Sequence, residues 1–363
     1  MSPKKNATPE VNLVFTNHVA RTLDQAVELM MPSSVHVLVD VNTEAFVLPL
    51  LQAESKAVAG ATVIRVKAGE MFKNLDSLTS IWKQLGDSEA NRNSLLINLG
   101  GGVVTDMGSF AAATFKRGIS FINVPTTLLC AVDACVGGKT GINFNGLKNE
   151  IGMFRDADLA IVSTLYFNTL TSQELLSGYA EMLKHALVCS TELTKKILAY
   201  DVTNYNPDTL LKLLEESVGV KQKYVKADHE DRGARRALNF GHTIGHAMES
   251  LALERKSPLP HGYAVAFGMV GALVLSRMKF DFPSDILNSY VGYVRRYYGA
   301  FEISCDNYKK LIGYMHHDKK NDRPDMVNFT LLKAPGEVEI NVPVTDDDIT
   351  AALDIYRDLL GLP

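Results

Sequence analysis

Short apolar runs alternate with longer amphipathic stretches in the first half of the chain. Four runs have strand length and are rich in Val, Ile and Leu, at residues 35–40, 61–66, 94–99 and 120–124. Stretches of helical length lie between or after them, at residues 42–57, 75–85 and 107–114. Strands separated by helices in this way predict a parallel α/β sheet with helices on its faces.

The second half of the chain has a different pattern. Apolar residues recur there at helical spacing, with Pro, Gly or Asp near the ends of each segment, over residues 172–188, 191–200, 207–228, 239–253, 263–279, 284–298 and 306–316. The 363 residues also exceed what one ordinary core holds. We therefore predict an N-terminal Rossmann-like, parallel-sheet α/β domain over residues 1–170 and a mainly α-helical C-terminal domain over residues 171–363.

Composition narrows the class of protein. Hydrophobic residues make up 46% and charged residues 21%, which is typical of a globular protein. The net charge of -4 favours neither nucleic acid nor an anionic membrane as a partner. Four cysteines without CxxC spacing indicate reduced thiols, and we find neither an apolar leader nor a segment that predicts a membrane span. We expect a cytoplasmic protein.

A glycine turn follows the third apolar run. Residues 100–106 read GGGVVTD, and glycines before a helix let a diphosphate approach backbone N–H groups. The turn is not a GxGxxG fingerprint, and a purely structural turn remains an alternative. Further on, GGKT at 137–140 resembles the end of a phosphate-binding loop, but Asp133 and Ala134 stand where the first glycine belongs. Lys139, Lys148 and Asn149 instead offer donors for anionic oxygens, and Asp133 offers an acceptor for a hydroxyl.

Two histidines four residues apart stand out in the segment LNFGHTIGHAMES. On a helix, Asn239, His242 and His246 would point to one side, which suits a metal ion or an anionic substrate. His261 is a third candidate ligand, and Glu181 is a candidate carboxylate. The pattern alone also fits solvated or hydrogen-bonded histidines.

Several other polar residues have ordinary alternatives. Glu181 could be a surface residue that pairs with His185 four residues later. Lys221 and Arg235 could be plain surface charges, and residues 316–322 (HHDKKND) could be an exposed polar loop.

Taken in order, a set of motifs resembles the 3-dehydroquinate synthase family of sugar phosphate cyclases. The motifs span residues 69–322 and read GEMFK, GGGVVTD, FKRG, VPTTLL, VDACVGGKTG, LKNEIG, YAEMLK, RRALNFGHTIGHAME, HGYAVAFGM and HDKKND. The resemblance implies a lyase that depends on NAD and on zinc or cobalt. Its substrate would be 3-deoxy-D-arabino-heptulosonate 7-phosphate, and its products 3-dehydroquinate and phosphate, in the shikimate pathway to aromatic amino acids. The reaction would begin with transient oxidation by NAD and would continue with phosphate elimination, re-reduction, ring opening and aldol closure.

The resemblance also implies roles by position. Glu181, His242 and His261 would hold the metal ion, and His246 would face the substrate instead. Substrate contacts would come from Asp133, Lys139, Asn149, Lys184, Lys221, Arg235, Asn239, His246 and Lys319. NAD would lie in the first domain against Asp40, Asn42, Glu70, Lys73, Gly101, Gly102, Val103, Asp106, Thr126, Thr127, Lys139, Lys148, Tyr166 and Thr169. Arg117 would reach the phosphate site of a neighbouring subunit, which implies a homodimer.

Three alternatives stay open at this point. A related cyclase acting on sedoheptulose 7-phosphate would lack a substrate carboxylate, and the presence of Lys221 and Arg235 favours the carboxylate-bearing substrate. A metal-dependent polyol dehydrogenase would release NADH. A catalytically silent regulatory protein is disfavoured because the expected polar residues are all present. Ala134, Cys135 and Glu150 depart from the usual family pattern in the loop that they share.

Overall fold

The computed structural model describes residues 13–317 and 326–363. The chain forms two compact units. The first runs up to Leu170 and also includes Asn206–Lys212, and the second comprises Thr171–Tyr205 and the chain from Leu213 onwards.

The first unit is built on a six-stranded parallel sheet. Its strands are β1 (Leu13–Phe15), β2 (Val35–Asp40), β3 (Thr62–Val66), β4 (Leu95–Gly100), β5 (Ser120–Pro125) and β8 (Leu159–Val162), in the spatial order β1-β8-β5-β4-β2-β3. Alternate residues of β2 enter different cores: Val37 and Val39 pack on one side, and Leu38 packs on the other. A sheet buried on both faces explains why its strands read as continuous apolar runs. The predicted fold class is confirmed.

Helices cover both faces of this sheet. They are α1 (Val19–Met30), α2 (Val41–Phe46), α3 (Leu48–Glu54), α4 (Lys56–Ala59), α5 (Leu75–Asp87) and α6 (Gly102–Thr114). The prediction of one helix over residues 42–57 was wrong, because this stretch is divided into three short helices. Pro49 lies in the first turn of α3, where its missing N–H costs nothing, and the side chain of Ser55 caps α4.

An antiparallel hairpin, which we did not predict, follows β5. Its strands are β6 (Lys139–Phe144) and β7 (Leu147–Phe154). The strands cross closely at two glycines, since a Cβ on Gly152 would lie 1.9 Å from the carbonyl oxygen of Thr140. All eight residues of β7 are exposed, so no apolar alternation marks the strand in the sequence.

The second unit is mainly helical, as predicted. Its helices are α7 (Ser172–Cys189), α8 (Thr191–Leu198), α9 (Pro207–Ala227, which starts in the first unit), α10 (His242–Glu254), α11 (His261–Phe280), α12 (Ser284–Tyr297), α13 (Cys305–His316) and α14 (Asp346–Leu360). It also contains an antiparallel pair that we did not predict, β9 (Val327–Ala334) and β10 (Glu337–Val344). Two helix starts differ from expectation: α10 begins at His242 rather than Asn239, and α11 begins at His261 rather than Tyr263.

Helix α11 is the central helix of this unit. Its 20 residues are long and apolar enough to cross a membrane by length and composition, which the sequence analysis did not anticipate. Of the apolar window, 72% is buried, and the helix packs against α7, α10, α14 and β9. This burial is what a core helix shows.

Candidate active site

Glu181 is carried into the second unit by α7. This helix begins with a capping box, in which Thr171 and Glu174 each accept from the other's backbone N–H. Every residue from Leu175 to Val188 is buried, and Glu181 has no exposed surface. The interpretation of Glu181 as a surface residue paired with His185 was therefore wrong. Its Oε2 accepts instead from the buried ammonium of Lys184.

Glycines allow α7, α10 and α11 to approach each other closely. A Cβ on Gly262, the second residue of α11, would lie 1.8 Å from the carbonyl oxygen of Ser177 on α7. A Cβ on Gly268 would lie 2.1 Å from the carbonyl oxygen of Gly241, just before α10. Only glycine fits at these two crossings, and the resulting short separations bring side chains of three helices to one point.

Glu181, His242 and His261 meet at that point. The Oε1 atom of Glu181 lies 3.6 Å from Nε2 of His242 and 3.5 Å from Nε2 of His261. Two ligand atoms that are each about 2.1 Å from a tetrahedral zinc ion lie about 3.4 Å apart. Oε1 is also buried without a hydrogen bond, which is costly for a carboxylate unless a cation binds it. The donor set and its spacing fit a divalent metal ion.

The protonation states of the three groups also bear on metal binding. Burial by itself would raise the pKa of Glu181, but Lys184 and then the two histidines hold it well below its usual value. Burial, and next the Lys184 ammonium, lower the pKa of His242 well below its usual value. Burial opposes the protonation of His261, yet its contacts with Glu181 and Glu249 raise its pKa to about 10. A metal ion would thus bind Glu181 and His242 in their deprotonated forms and would displace a proton from His261.

His246 lies beside this set on the exposed side of α10. Its ring centroid is 5.3 Å from that of His242 and 6.0 Å from that of His261. The predicted helical stripe that included Asn239 was wrong in one respect. Asn239 ends a 3-10 turn (Ala234–Asn239), and Gly241, with a φ of 78°, separates that turn from α10. His242 and His246 do share the helix face.

Three predicted cations of the second unit are buried. Lys184, Lys221 and Arg235 are 2%, 5% and 4% exposed. The interpretation of Lys221 and Arg235 as plain surface charges was therefore wrong. Buried cations are stabilised by anionic or polar partners, and Lys184 has such a partner in Glu181. Lys319 lies outside the described residues.

Arg235 is held by a loop that the sequence analysis did not single out. The carboxylate of Asp228 accepts from the backbone N–H groups of Arg232, Gly233 and Arg235, at 3.0, 2.6 and 3.1 Å. The guanidinium of Arg235 donates to the carbonyl oxygen of His229 at 2.8 Å. Asp228 in the segment ADHEDRGAR was the available signal, since Asp is a frequent acceptor for backbone groups in turns.

In the first unit, the order in which successive strands are added to the sheet changes direction between the neighbouring strands β2 and β4. From β2 it proceeds to β3 on one side, and from β4 it proceeds to β5 on the other. Ligands of such sheets bind at the carboxyl ends of the strands at this switch point. Asp40 ends β2, where it caps α2 by accepting from the N–H groups of Asn42 and Thr43. Gly101 follows β4 and is the N-cap of α6, whose first turn contains Gly102 and Val103.

A charged network lies close to the same helix. The ammonium of Lys73 is buried and donates to Asp106 on α6 and to Asn149 on β7, both at 2.5 Å. Asn143 on β6 donates to the carboxylate of Glu70 and accepts from the N–H of Asn149, both at 2.8 Å. Hydrogen bonds therefore connect four predicted site residues, some of them through Asn143, which we had not predicted to have a role. The four are Glu70, Lys73, Asp106 and Asn149.

The remaining predicted residues of the first unit are distributed around these elements. Asp106 and Lys139 line a small polar pocket with Arg155. Asp133 lies in a π-helical turn (Cys130–Ala134), and Lys148 is exposed on β7. Others lie at strand and turn ends, namely Thr126 and Thr127 after β5, and Tyr166 and Thr169, which are joined by a 2.7 Å hydrogen bond.

Arg117 lies in a strained and exposed turn. Lys116 and Arg117 have φ values of 49° and 71°, in the left-handed region that non-glycine residues seldom adopt, and Gly118 follows. Strain of this kind persists where the surrounding structure holds it and is concentrated at functional sites.

Family models match most of the chain. The model described as 3-dehydroquinate synthase N-terminal matches residues 63–177, and the one described as 3-dehydroquinate synthase C-terminal matches residues 178–321. The 3-dehydroquinate synthase of Parabacteroides distasonis is 44% identical over 353 residues, which cover 97% of this chain and 99% of that protein.

Solved structures share the fold. A 2-deoxy-scyllo-inosose synthase complexed with carbaglucose-6-phosphate, NAD+ and Co2+ matches with a TM-score of 0.82 at 21% identity and covers 96% of both chains. A 2-epi-5-epi-valiolone synthase from Streptomyces hygroscopicus with NAD+ and Zn2+ bound also has a TM-score of 0.82, at 22% identity over 99% of both chains. This chain therefore shares its fold with these two synthases.

The chain belongs to the 3-dehydroquinate synthase family. The two family models together span residues 63–321, and a relative above 40% identity aligns over nearly the whole length. The family resemblance inferred from the motifs is confirmed.

Proposed function

We propose that this chain converts 3-deoxy-D-arabino-heptulosonate 7-phosphate into 3-dehydroquinate and phosphate, with NAD and one zinc or cobalt ion as cofactors. The observation that carries the proposal is the meeting of Glu181, His242 and His261 inside a chain of this family. Glu181, His242 and His261 would hold the metal ion, which would supply polarisation of a substrate hydroxyl, and NAD would supply hydride-transfer chemistry.

The helical unit supplies the groups that bind the substrate. Lys184, Lys221 and Arg235 are buried cations, and they are suited to the carboxylate and phosphate of this dianionic class of substrate. His246 is exposed beside the metal ligands, where its imidazole has access to a bound molecule. We assign His246 to proton transfer and Asn239 to positioning of the substrate.

The parallel-sheet unit supplies the nucleotide site. The N-terminus of α6 and its glycines receive the diphosphate of NAD, because the helix dipole and unpaired N–H groups favour negative charge there. Asp40, at the end of β2, lies across the switch point and receives the adenosine end. Lys73 and Asp106 hold the hairpin residue Asn149 against the same helix.

The test is a turnover assay with purified protein, the heptulosonate phosphate, catalytic NAD and Zn2+ or Co2+. We expect phosphate release with no net NADH. The variant E181Q should release no phosphate. E254Q should match the unmodified protein, because Glu254 is exposed and its side-chain hydrogen bonds to described residues are those with Lys310 and Tyr314. Stoichiometric NADH would favour a polyol dehydrogenase, and the absence of phosphate release would exclude the synthase.

We also propose a homodimer in which Arg117 completes the phosphate site of the partner subunit. The exposed, strained turn at Arg117 supports this role. Complementation tests it: R117A and E181Q are each expected to be inactive or nearly so, but their mixed dimer has one site with intact Glu181 and an intact Arg117 from the other chain. Recovered activity on mixing supports the shared site, and a monomeric protein or no recovery contradicts it.

Cytoplasmic residence stays a prediction, which cell fractionation tests.

A further inference from the structure

His261 lies between carboxylates from two different helices. Its Nε2 faces Oε1 of Glu181 on α7, at 3.5 Å, and its Nδ1 lies 3.3 Å from Oε2 of Glu249 on α10. Glu249 is itself 9% exposed. The two nitrogens of one imidazole thus have separate partners.

The partner of the second nitrogen controls how an imidazole binds a metal ion. A group that accepts a hydrogen bond from Nδ1–H fixes the tautomer, directs the Nε2 lone pair at the ion and makes the ring more basic. His242 has such a partner too, because the carbonyl oxygen of Phe240 lies 3.2 Å from its Nδ1. The two histidines therefore differ in one respect: a neutral carbonyl orients His242, whereas a carboxylate is placed to orient His261.

We infer that Glu249 is a positioning residue of the metal centre, which orients His261 and increases its affinity for the ion. This inference rests on the proposed metal site. His246, Glu249 and His261 also lie close enough together to surround a cation themselves. The complete burial of Glu181 and the lack of a hydrogen bond to its Oε1 favour the first arrangement, in which Glu249 is not a ligand.

The test uses the full chain and four variants, with zinc affinity measured by competition with a chromophoric chelator. E249L removes the acceptor with little change of volume, E249Q removes the charge but keeps an acceptor, E181Q removes a proposed ligand, and E254Q is the matched control on the same helix. We expect E249L to bind Zn2+ about 10–100-fold more weakly, the usual loss for such a partner. E249Q should lose less, and E254Q should bind as the unmodified protein does.

A second measurement separates positioning from folding. The visible absorption of bound Co2+ should change in E249L, because one ligand reorients, while the thermal unfolding of the metal-free protein stays close to that of E254Q. Unmodified zinc affinity in E249L overturns the inference. If E249L does not fold, E249Q decides, because unmodified affinity without the carboxylate also contradicts it.

The remaining outcomes distinguish this inference from the proposed function. Complete loss of zinc in E249L with retention in E181Q would show that Glu249 is a ligand of the alternative cation site. Failure of the unmodified protein to bind Zn2+ or Co2+ would contradict the proposed metal site itself. Zinc binding and turnover by the unmodified protein, with no effect in E249L or E249Q, would refute the role of Glu249 alone.

Discussion

Replacing Gly262 by alanine is the most direct test of how the proposed metal ligands are brought together. Gly262 follows His261 at the start of α11, and its N–H donates to the hydroxyl of Ser177 on α7 at 3.0 Å. The added Cβ would lie 1.8 Å from the carbonyl oxygen and 2.5 Å from the Cα of Ser177. Both are backbone atoms, so no rotation of a side chain relieves the clash.

The size of the effect follows from these distances. Carbon contacts become comfortable at about 3.5 Å, so α11 must withdraw from α7 by roughly 1.5 Å at this point. Metal ligands tolerate errors of only about 0.2 Å, and His261 is the adjacent residue. We expect overpacking to cost about 1–3 kcal/mol in stability. Zinc affinity should fall at least about 10-fold, which corresponds to roughly 1.4 kcal/mol.

Zinc competition and thermal unfolding, with and without zinc, measure both effects. The matched control is G292A, at an exposed position of α12 where an added Cβ meets no atom within 4 Å. Alanine there should stabilise the helix by up to about 1 kcal/mol and leave zinc binding unchanged. Unmodified zinc affinity and stability in G262A would refute the argument that this close approach sets the geometry of the site.

Three further predictions concern other parts of the molecule. Burial lowers the pKa of His261, but its contacts with Glu181 and Glu249 raise it to about 10. Zinc binding near pH 7.5 should therefore release about one proton and should strengthen as the pH rises, which calorimetry in two buffers tests. The variant K73M should bind NAD at least about 10-fold more weakly, by fluorescence titration, because Asp106 and Asn149 lose a shared buried donor. Burial raises the pKa of Asp24, but hydrogen bonds from Ser55 and two backbone N–H groups lower the pKa below its usual 3.8. The ionised carboxylate therefore stabilises the fold above pH 3.8, and this stabilisation is lost as the pH falls through the lowered pKa. D24N should therefore melt about 2–4 °C lower at pH 7, and the difference should vanish in acid.

The parallel sheet could be predicted because burial on both faces leaves a local signature. All six residues of β4 are buried, so the strand reads as an uninterrupted apolar run. The hairpin of β6 and β7 has no such signature, since exposed strands carry polar and apolar residues alike. Gly141 and Gly152 mark the close crossing of its strands, and Asn145-Gly146 at its turn, with φ values of 49° and 78°, is a hairpin signal that we did not use.

The site was harder to predict from the residues alone. The spacing of His242 and His246 suggests a shared ligand, but it does not show that His242 is the less exposed of the two. That difference depends on the packing of α10 against α11 and α13, which are separate elements of the chain. The motifs of the family supplied Glu181 and His261, whereas the contacts of Glu249 with His261 and of Asn143 with Glu70 could be found only from the structure.

The two carboxylates beside His261 determine the net charge of the proposed metal site, both without and with a metal ion. In the metal-free protein, the protonated imidazole of His261 and the ammonium of Lys184 together balance Glu181 and Glu249. A divalent ion that replaces the proton of His261 raises the charge of this group by one unit. Binding of metal should therefore make the centre more attractive to an anionic substrate.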